Sequence, residues 1–249
     1  MNAGALLFRF RVFIFVLLYL LGFWAPWDPR RGSRDTLWLA ASTWLARTGW
    51  ISLASATLVV TLAALACLLV GAILRVWGTA YLGSGVMSGF AMQGDTFVAA
   101  GPYRYLRNPL YLGAWLLALG VSILMPPSGA AIFLVVFSLF VLFLISAEER
   151  FLALKQGDLY QQYRRRVPRL LPRRPGSSIT SSGRPRWVQA LLAETYPVAF
   201  TVCFAVYAWR YNARILIRCL LICYGISLVM RAWTRRPMAV DPGPDKGAP

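Results

Sequence analysis

Two short polar stretches hold most of the side chains that could do chemistry. The first, GPYRYLRNPLYLG, runs from Gly101 to Gly113, and the second, AEERFLALKQGDLYQQYRRRVPRLLP, from Ala147 to Pro172. Glu148 and Glu149 stand side by side at the end of a long apolar run. An acidic pair at the edge of hydrocarbon is costly unless a cation offsets it, which makes it a functional candidate. A plain salt bridge to Arg150, Arg104 or Arg107 is the structural alternative. Tyr103, Tyr105, Tyr111, Tyr160 and Tyr163 add aromatic faces and hydroxyls, and Tyr160 and Tyr163 would share one helix face. Carboxylates with aromatic rings suit a cation such as a sulfonium or an amine. Arg104 and Arg107 suit a carboxylate or phosphate. The combined chemistry is dipolar and fits a ligand carrying both charges, such as an amino-acid-bearing cofactor.

What the chain lacks narrows the reaction. It has no histidine, and therefore no imidazole base and no HExxH zinc site, and it has no Walker phosphate loop. Cys67, Cys203, Cys219 and Cys223 all lie in apolar segments without nearby His or Asp, so neither a metal site nor a disulfide framework is expected. A reaction here must need little acid–base help. Methyl transfer from S-adenosyl-L-methionine meets that condition, because the positive charge already activates the leaving group. Positioning and desolvation can then supply most of the acceleration.

The elements that must position these stretches are membrane helices. Of 249 residues, 58% are hydrophobic and only 14% charged, and the net charge is +17. The arginines cluster between long apolar runs rather than over a soluble face, which argues for loop charges in a membrane protein and against nucleic acid. Residues 5–27 are long enough to span, with Arg9 and Arg11 at the start and Trp24 and Trp27 at the end. The segment reads as an anchor rather than a cleaved signal peptide, because Trp-Ala-Pro-Trp-Asp is no small-residue cleavage site. Thr36–Thr48 reads as a short interfacial helix and Trp50–Leu74 as the second span, followed by a glycine-rich loop over 75–100. Pro109–Met125 and Gly129–Ser146 form a helical hairpin turned at Pro126-Pro127. Trp187–Trp209 and Ile215–Trp233 make two further apolar runs, and the tail after Arg235 is rich in Pro and Gly.

The expected fold class is therefore all-α, a polytopic integral membrane protein of about five to six transmembrane helices with a cofactor pocket at the cytoplasmic face. With residues 148–186 in the cytoplasm, most Lys and Arg fall on that side, and both chain ends join them. The expected organisation is an anchor and interfacial segment over 1–48, a core over 49–175, a linker over 176–186, a C-terminal hairpin over 187–234 and a tail over 235–249. The expected location is the cell inner membrane.

The paired stretches resemble the membrane methyltransferase superfamily that holds isoprenylcysteine carboxyl methyltransferases and phospholipid methyltransferases. The matching residues are Gly101-Pro102-Tyr103, Arg107-Asn108-Pro109, Tyr111 and Gly113, then Glu148-Glu149, Leu152, Gly157, Tyr160, Tyr163, Val167-Pro168 and Pro172. Arg75-Val-Trp77 and Tyr81-Leu82 resemble the family's lead-in, and the likeness covers roughly Ile51 to Pro172. It implies S-adenosyl-L-methionine as cofactor, bound at the cytoplasmic face, with a membrane lipid or lipidated acceptor arriving from the bilayer. Carried over, Tyr103, Arg107, Asn108, Tyr111, Glu148 and Glu149 are cofactor residues, Tyr160 and Tyr163 close the pocket, and Arg169 steers an acceptor carboxylate. Gly83 and Gly85 take the part of a glycine pair described for the phospholipid branch. Asn108 stands where the isoprenylcysteine branch commonly has His, and Asn cannot carry a proton in its place. A carboxylate acceptor needs no base, whereas an amine acceptor needs Glu149 or a tyrosine to take its proton. Two other readings compete: an NADPH-dependent reductase of the sterol-reductase type, and a non-catalytic lipid-binding protein.

Overall fold

The computed structural model describes residues 10–24, 35–82, 99–173 and 184–210, with a few positions between 218 and 225. Within them the structure is all-helical. It comprises α1 (Arg11–Trp24), α2 (Leu37–Arg47), α3 (Leu53–Leu82), a 3-10 turn (Gly101–Arg104), α4 (Pro109–Ser122), α5 (Pro127–Arg166), α6 (Trp187–Ala193) and α7 (Thr195–Arg210). Among the described residues, α3 and α5 are long and apolar enough to cross a membrane, and the bent pair α6–α7 could make a third span. α1 and α4 are apolar but shorter.

The hairpin at Pro126-Pro127 forms as the prolines require, with Pro127 at the first position of α5, where a missing N–H costs nothing. The start of α2 closes this turn. Leu37 and Trp38 donate their backbone N–H groups to the carbonyls of Met125 and Ile123, at 2.7 and 2.8 Å. Unpaired donors of one helix start thus meet unpaired acceptors of another helix end. The Trp38 indole also donates to Thr61 on α3 at 2.8 Å.

α3 and α4 cross closely because glycines face each other. A Cβ on Gly71 would lie 2.8 Å from the carbonyl oxygen of Gly113, and one on Gly113 would lie 2.8 Å from that of Gly71. Gly120 repeats the contact against Ala64. Small residues allow this approach in a bilayer, where helices gain little from merely apolar faces. Around the crossing lies one apolar core containing Leu68, Ala118, Met125, Phe133, Phe137 and Phe204.

Three sequence expectations change here. The segment 75–100 does not begin as a loop, because α3 continues through Arg75, Trp77 and Tyr81 to Leu82. Gly78 is helical and lets Leu110 approach, since a Cβ there would come within 2.8 Å of the leucine. Gly83 and Gly85 lie outside the described residues. The fourth apolar run does not stop at Ser146. α5 carries on through the polar stretch to Arg166, with one non-helical residue, Gly157, at φ 53°. The run Trp187–Trp209 is not straight but bends by 71° at Glu194.

Pro197, which has no N–H to give the Ala193 carbonyl, breaks the helix here, and the bend falls at Glu194. Its side chain is 1% exposed. Arg75 reaches it in a fork, Nε to Oε2 at 2.7 Å and Nη2 to Oε1 at 3.0 Å, and Thr79 donates to Oε1 at 2.8 Å. The break in the helix thus brings a buried carboxylate onto two polar side chains one turn apart on α3.

Two stability measurements follow in detergent. Gly113→Val forces a side chain against the backbone of α3 and should cost about 1–3 kcal/mol, read as earlier thermal unfolding. Glu194→Leu leaves Arg75 without its partner and should cost about 3–5 kcal/mol. Adding Arg75→Met should recover most of that loss.

Candidate functional site

The two polar stretches meet at the end of the α4–α5 hairpin. Gly101 opens the first at φ 57° and faces the Tyr81 ring so closely that no Cβ would fit. The chain then makes the 3-10 turn, passes Asn108 and enters α4 at Pro109, again with proline at a first helical position. The second stretch leaves α5 at Val167 and runs back along the first. Arg107 donates its backbone N–H to the Pro168 carbonyl at 2.9 Å, and Arg173 donates to that of Tyr105 at 3.0 Å. The Tyr163 hydroxyl donates to the Tyr103 carbonyl at 2.8 Å.

Glu149 lies at the centre of this seam, 5% exposed. Arg107 Nε stands 3.5 Å from Oε1, and Arg169 Nη2 stands 3.3 Å from Oε2. Asn108 Nδ2 donates both to Glu149 Oε1 and to the Arg169 carbonyl, each at 3.1 Å. Arg169 Nη2 also donates to Ser146 at 2.8 Å. The salt-bridge alternative thus holds in part. Glu149 pairs with Arg107, while Arg150 turns back to the Ser146 carbonyl and Arg104 is exposed.

Glu148, one residue earlier and about 100° around the helix, is half-buried and lies near the Tyr111 hydroxyl. Tyr160 and Tyr163 are buried with ring centroids 5.9 Å apart, on one helix face as their spacing predicts. They pack with Ala99 and Val167.

Several donors at this seam are buried without a partner. The Tyr103 hydroxyl has none, nor have Arg107 Nε and Nη1 or Arg169 Nε as hydrogen-bond donors. Burial, with the Glu148 charge nearby, pushes the Tyr103 phenol well above its ordinary value, so it stays protonated and can only be a neutral donor or acceptor. A buried polar group without a partner costs about 1–3 kcal/mol. Arg107 Nε still has the Glu149 ion pair, and the other three such atoms gather beside carboxylates, in an arrangement that offers donors to an anion and acceptors to a cation. A dipolar amino-acid-type ligand meets both needs. Among the described residues no three metal-ligating side chains gather.

Tyr103, Arg107, Asn108, Tyr111, Glu148, Glu149, Tyr160, Tyr163 and Arg169 therefore lie along one seam, and Gly83 and Gly85 lie outside the described residues. Sequence reasoning passed over Ser146, Thr79 and Glu194 and took Arg11 for an interface anchor. Glu194 carried a usable signal, since it is a lone acid inside an apolar run.

Residues 59–157 match the phospholipid methyltransferase family. Among curated proteins, the methanethiol S-methyltransferase of Crocosphaera subtropica is 37% identical over 70 residues, covering 28% of this chain and 27% of that protein. Methanethiol S-methyltransferase 2 of Bradyrhizobium diazoefficiens is 38% identical over 85 residues, covering 34% and 32%. The protein-S-isoprenylcysteine O-methyltransferase of Schizosaccharomyces pombe is 38% identical over 79 residues, covering 30% and 32%. The chain thus spans about a third or less of the length of each. No solved structure matches it. The matched residues run from the body of α3 to the break in α5 and take in the first polar stretch and the acidic pair, in line with the resemblance carried by the paired motifs.

Proposed function

We propose that the protein is an integral-membrane methyltransferase that uses S-adenosyl-L-methionine and acts on a lipid or lipidated acceptor. The observation that carries this reading is the cluster of unpartnered buried donors on Tyr103, Arg107 and Arg169 beside Glu148 and Glu149. Arg107 and Arg169 would hold the carboxylate of the donor's amino-acid part. Glu148, Tyr111 and the rings of Tyr160 and Tyr163 would face its positive charges. Asn108 would fix Glu149 in place, since its one amide group ties that carboxylate to the Arg169 backbone.

When bound, the donor supplies a methyl group already activated by a sulfonium charge. The chain's own task is then to orient, to exclude water and, for an amine acceptor, to remove a proton at Glu149 or a tyrosine. Arg169, 38% exposed against 10% for Arg107 and so the more accessible of the two cations on Glu149, would meet an acceptor carboxylate. The relatives' names extend the acceptor classes worth testing to small thiols. The reading places five to six spans in the bilayer, counting α1, α4 and the run after 215, with the seam facing the cytoplasm across the inner membrane. The reductase alternative has no support in the relatives found, all of which are methyltransferases by name.

Calorimetry on the detergent-purified chain tests the cofactor. S-adenosyl-L-methionine should bind saturably, and Glu148→Gln/Glu149→Gln should weaken it at least tenfold, about 1.4 kcal/mol. Preference for NADPH in folded protein would sink the reading. A screen with a phospholipid amine, an isoprenylcysteine carboxylate and methanethiol then sorts the acceptors. Tyr103→Phe separates ligand from scaffold. Removing a hydroxyl with no protein partner should leave thermal unfolding unchanged or later, yet lower donor affinity by about 0.5–1.5 kcal/mol.

A further inference from the structure

Glu149 has two guanidinium groups, whereas Glu148 beside it touches neither Arg107 nor Arg169 in the seam's ion pairs. The cation that acts on Glu148 comes from α1, a helix outside the family-matched segment. We propose that Arg11 is the positioning residue for Glu148, keeping that carboxylate aimed at the donor site. The inference rests on the proposed methyltransferase reading and extends it to a residue from outside that segment.

The register of α1 on α5 supplies the geometry. The helices run antiparallel, with Phe15 against Phe137 and Phe140 at centroid distances of 5.0 and 5.3 Å. One turn further along α1, Tyr19 meets Phe133 at 4.8 Å, and Gly22 lies against Met125 and Phe133. Extending this register one turn toward the start of α1 brings Arg11 level with residues 141–144, one to two helical turns (~5–11 Å) short of Glu148. Side chains on a helix lean toward its N-terminus. On α1 that direction points along α5 toward Glu148, while the Glu148 side chain leans back along α5 toward Arg11, so the two side chains close the gap between them. The guanidinium accordingly lies close enough to act electrostatically on both the Glu148 carboxylate and the Tyr111 hydroxyl.

The energetic logic supports the assignment. A guanidinium within an apolar helix is expensive, and so is a carboxylate at the hydrocarbon edge, but each lowers the cost of the other. Arg11 Nη1 is buried, so the charge does not simply reach out to water. The acidic pair is thereby compensated on two sides. Arg107 and Arg169 serve Glu149 from the seam, and Arg11 serves Glu148 from the first helix.

Calorimetry with S-adenosyl-L-methionine on the full chain in detergent tests this with four variants. Arg11→Leu, which only makes an apolar helix more apolar, should bind at least tenfold more weakly than wild type. Arg11→Lys keeps the charge and should stay within about threefold. The pairing predicts that Arg11→Leu/Glu148→Gln binds no more weakly than Glu148→Gln alone, because Arg11 acts through Glu148. Wild-type affinity in Arg11→Leu, or losses that add in the double variant, would overturn the proposal while leaving the function intact. A Glu148→Gln variant that binds normally would overturn it together with the cofactor role of that residue. Should Arg11→Leu not fold, Arg11→Lys decides, and a tenfold loss there with unchanged thermal unfolding rejects the pairing by charge.

Discussion

Burying Glu149 beside hydrocarbon sets the terms for the polar end of the molecule. A carboxylate 5% exposed would be prohibitively costly alone, so its neighbours must supply charge and hydrogen bonds. Two of them, Arg107 and Asn108, come from the stretch before α4, and the third, Arg169, from the stretch after α5. Satisfying one charge therefore requires two segments some sixty residues apart to meet. Backbone bonds from Arg107 to Pro168 and from Arg173 to Tyr105 then fix their register. Assembly of the seam and neutralisation of Glu149 are one event.

The same requirement explains how much of the molecule was legible in the sequence. The hairpin was, because two prolines act locally on the backbone wherever they fall. So was the shared face of Tyr160 and Tyr163, since helical spacing alone decides it. The acid pair could be picked out by its position at the end of an apolar run, but the partners of Glu149 could not be chosen among Arg104, Arg107 and Arg150. That choice depends on how the chain returns after Val167. Arg169 entered only through the family resemblance.

Glycine misled in the opposite sense. Gly78, followed by Gly83, Gly85 and Gly89, reads as a permissive loop, yet Gly78 is helical and serves close approach. Composition cannot tell a glycine that bends a backbone from one that makes room for a neighbour. Glu194 shows another limit. A single acid within an apolar run announces that something must pair with it, but its partners lie on α3, more than a hundred residues earlier.

Helices in a bilayer gain little from burying one apolar face rather than another, so polar contacts and small-residue crossings must decide which helix sits where. α3 illustrates this. Within two turns it offers Arg75 and Thr79 to Glu194, and Gly78 to Leu110 and the edge of the Tyr103 hydroxyl. It therefore ties the C-terminal pair α6–α7 to the same end of the bundle that carries the seam. The two carboxylate centres differ in one respect that bears on function. Glu194 accepts three hydrogen bonds from Arg75 and Thr79 and is 1% exposed, which leaves a ligand little to reach. The Glu149 centre leaves guanidinium donors and a phenol without partners. Paired donors and burial mark Glu194 as a fastening, and unsatisfied donors mark the seam as a place built for something else to complete.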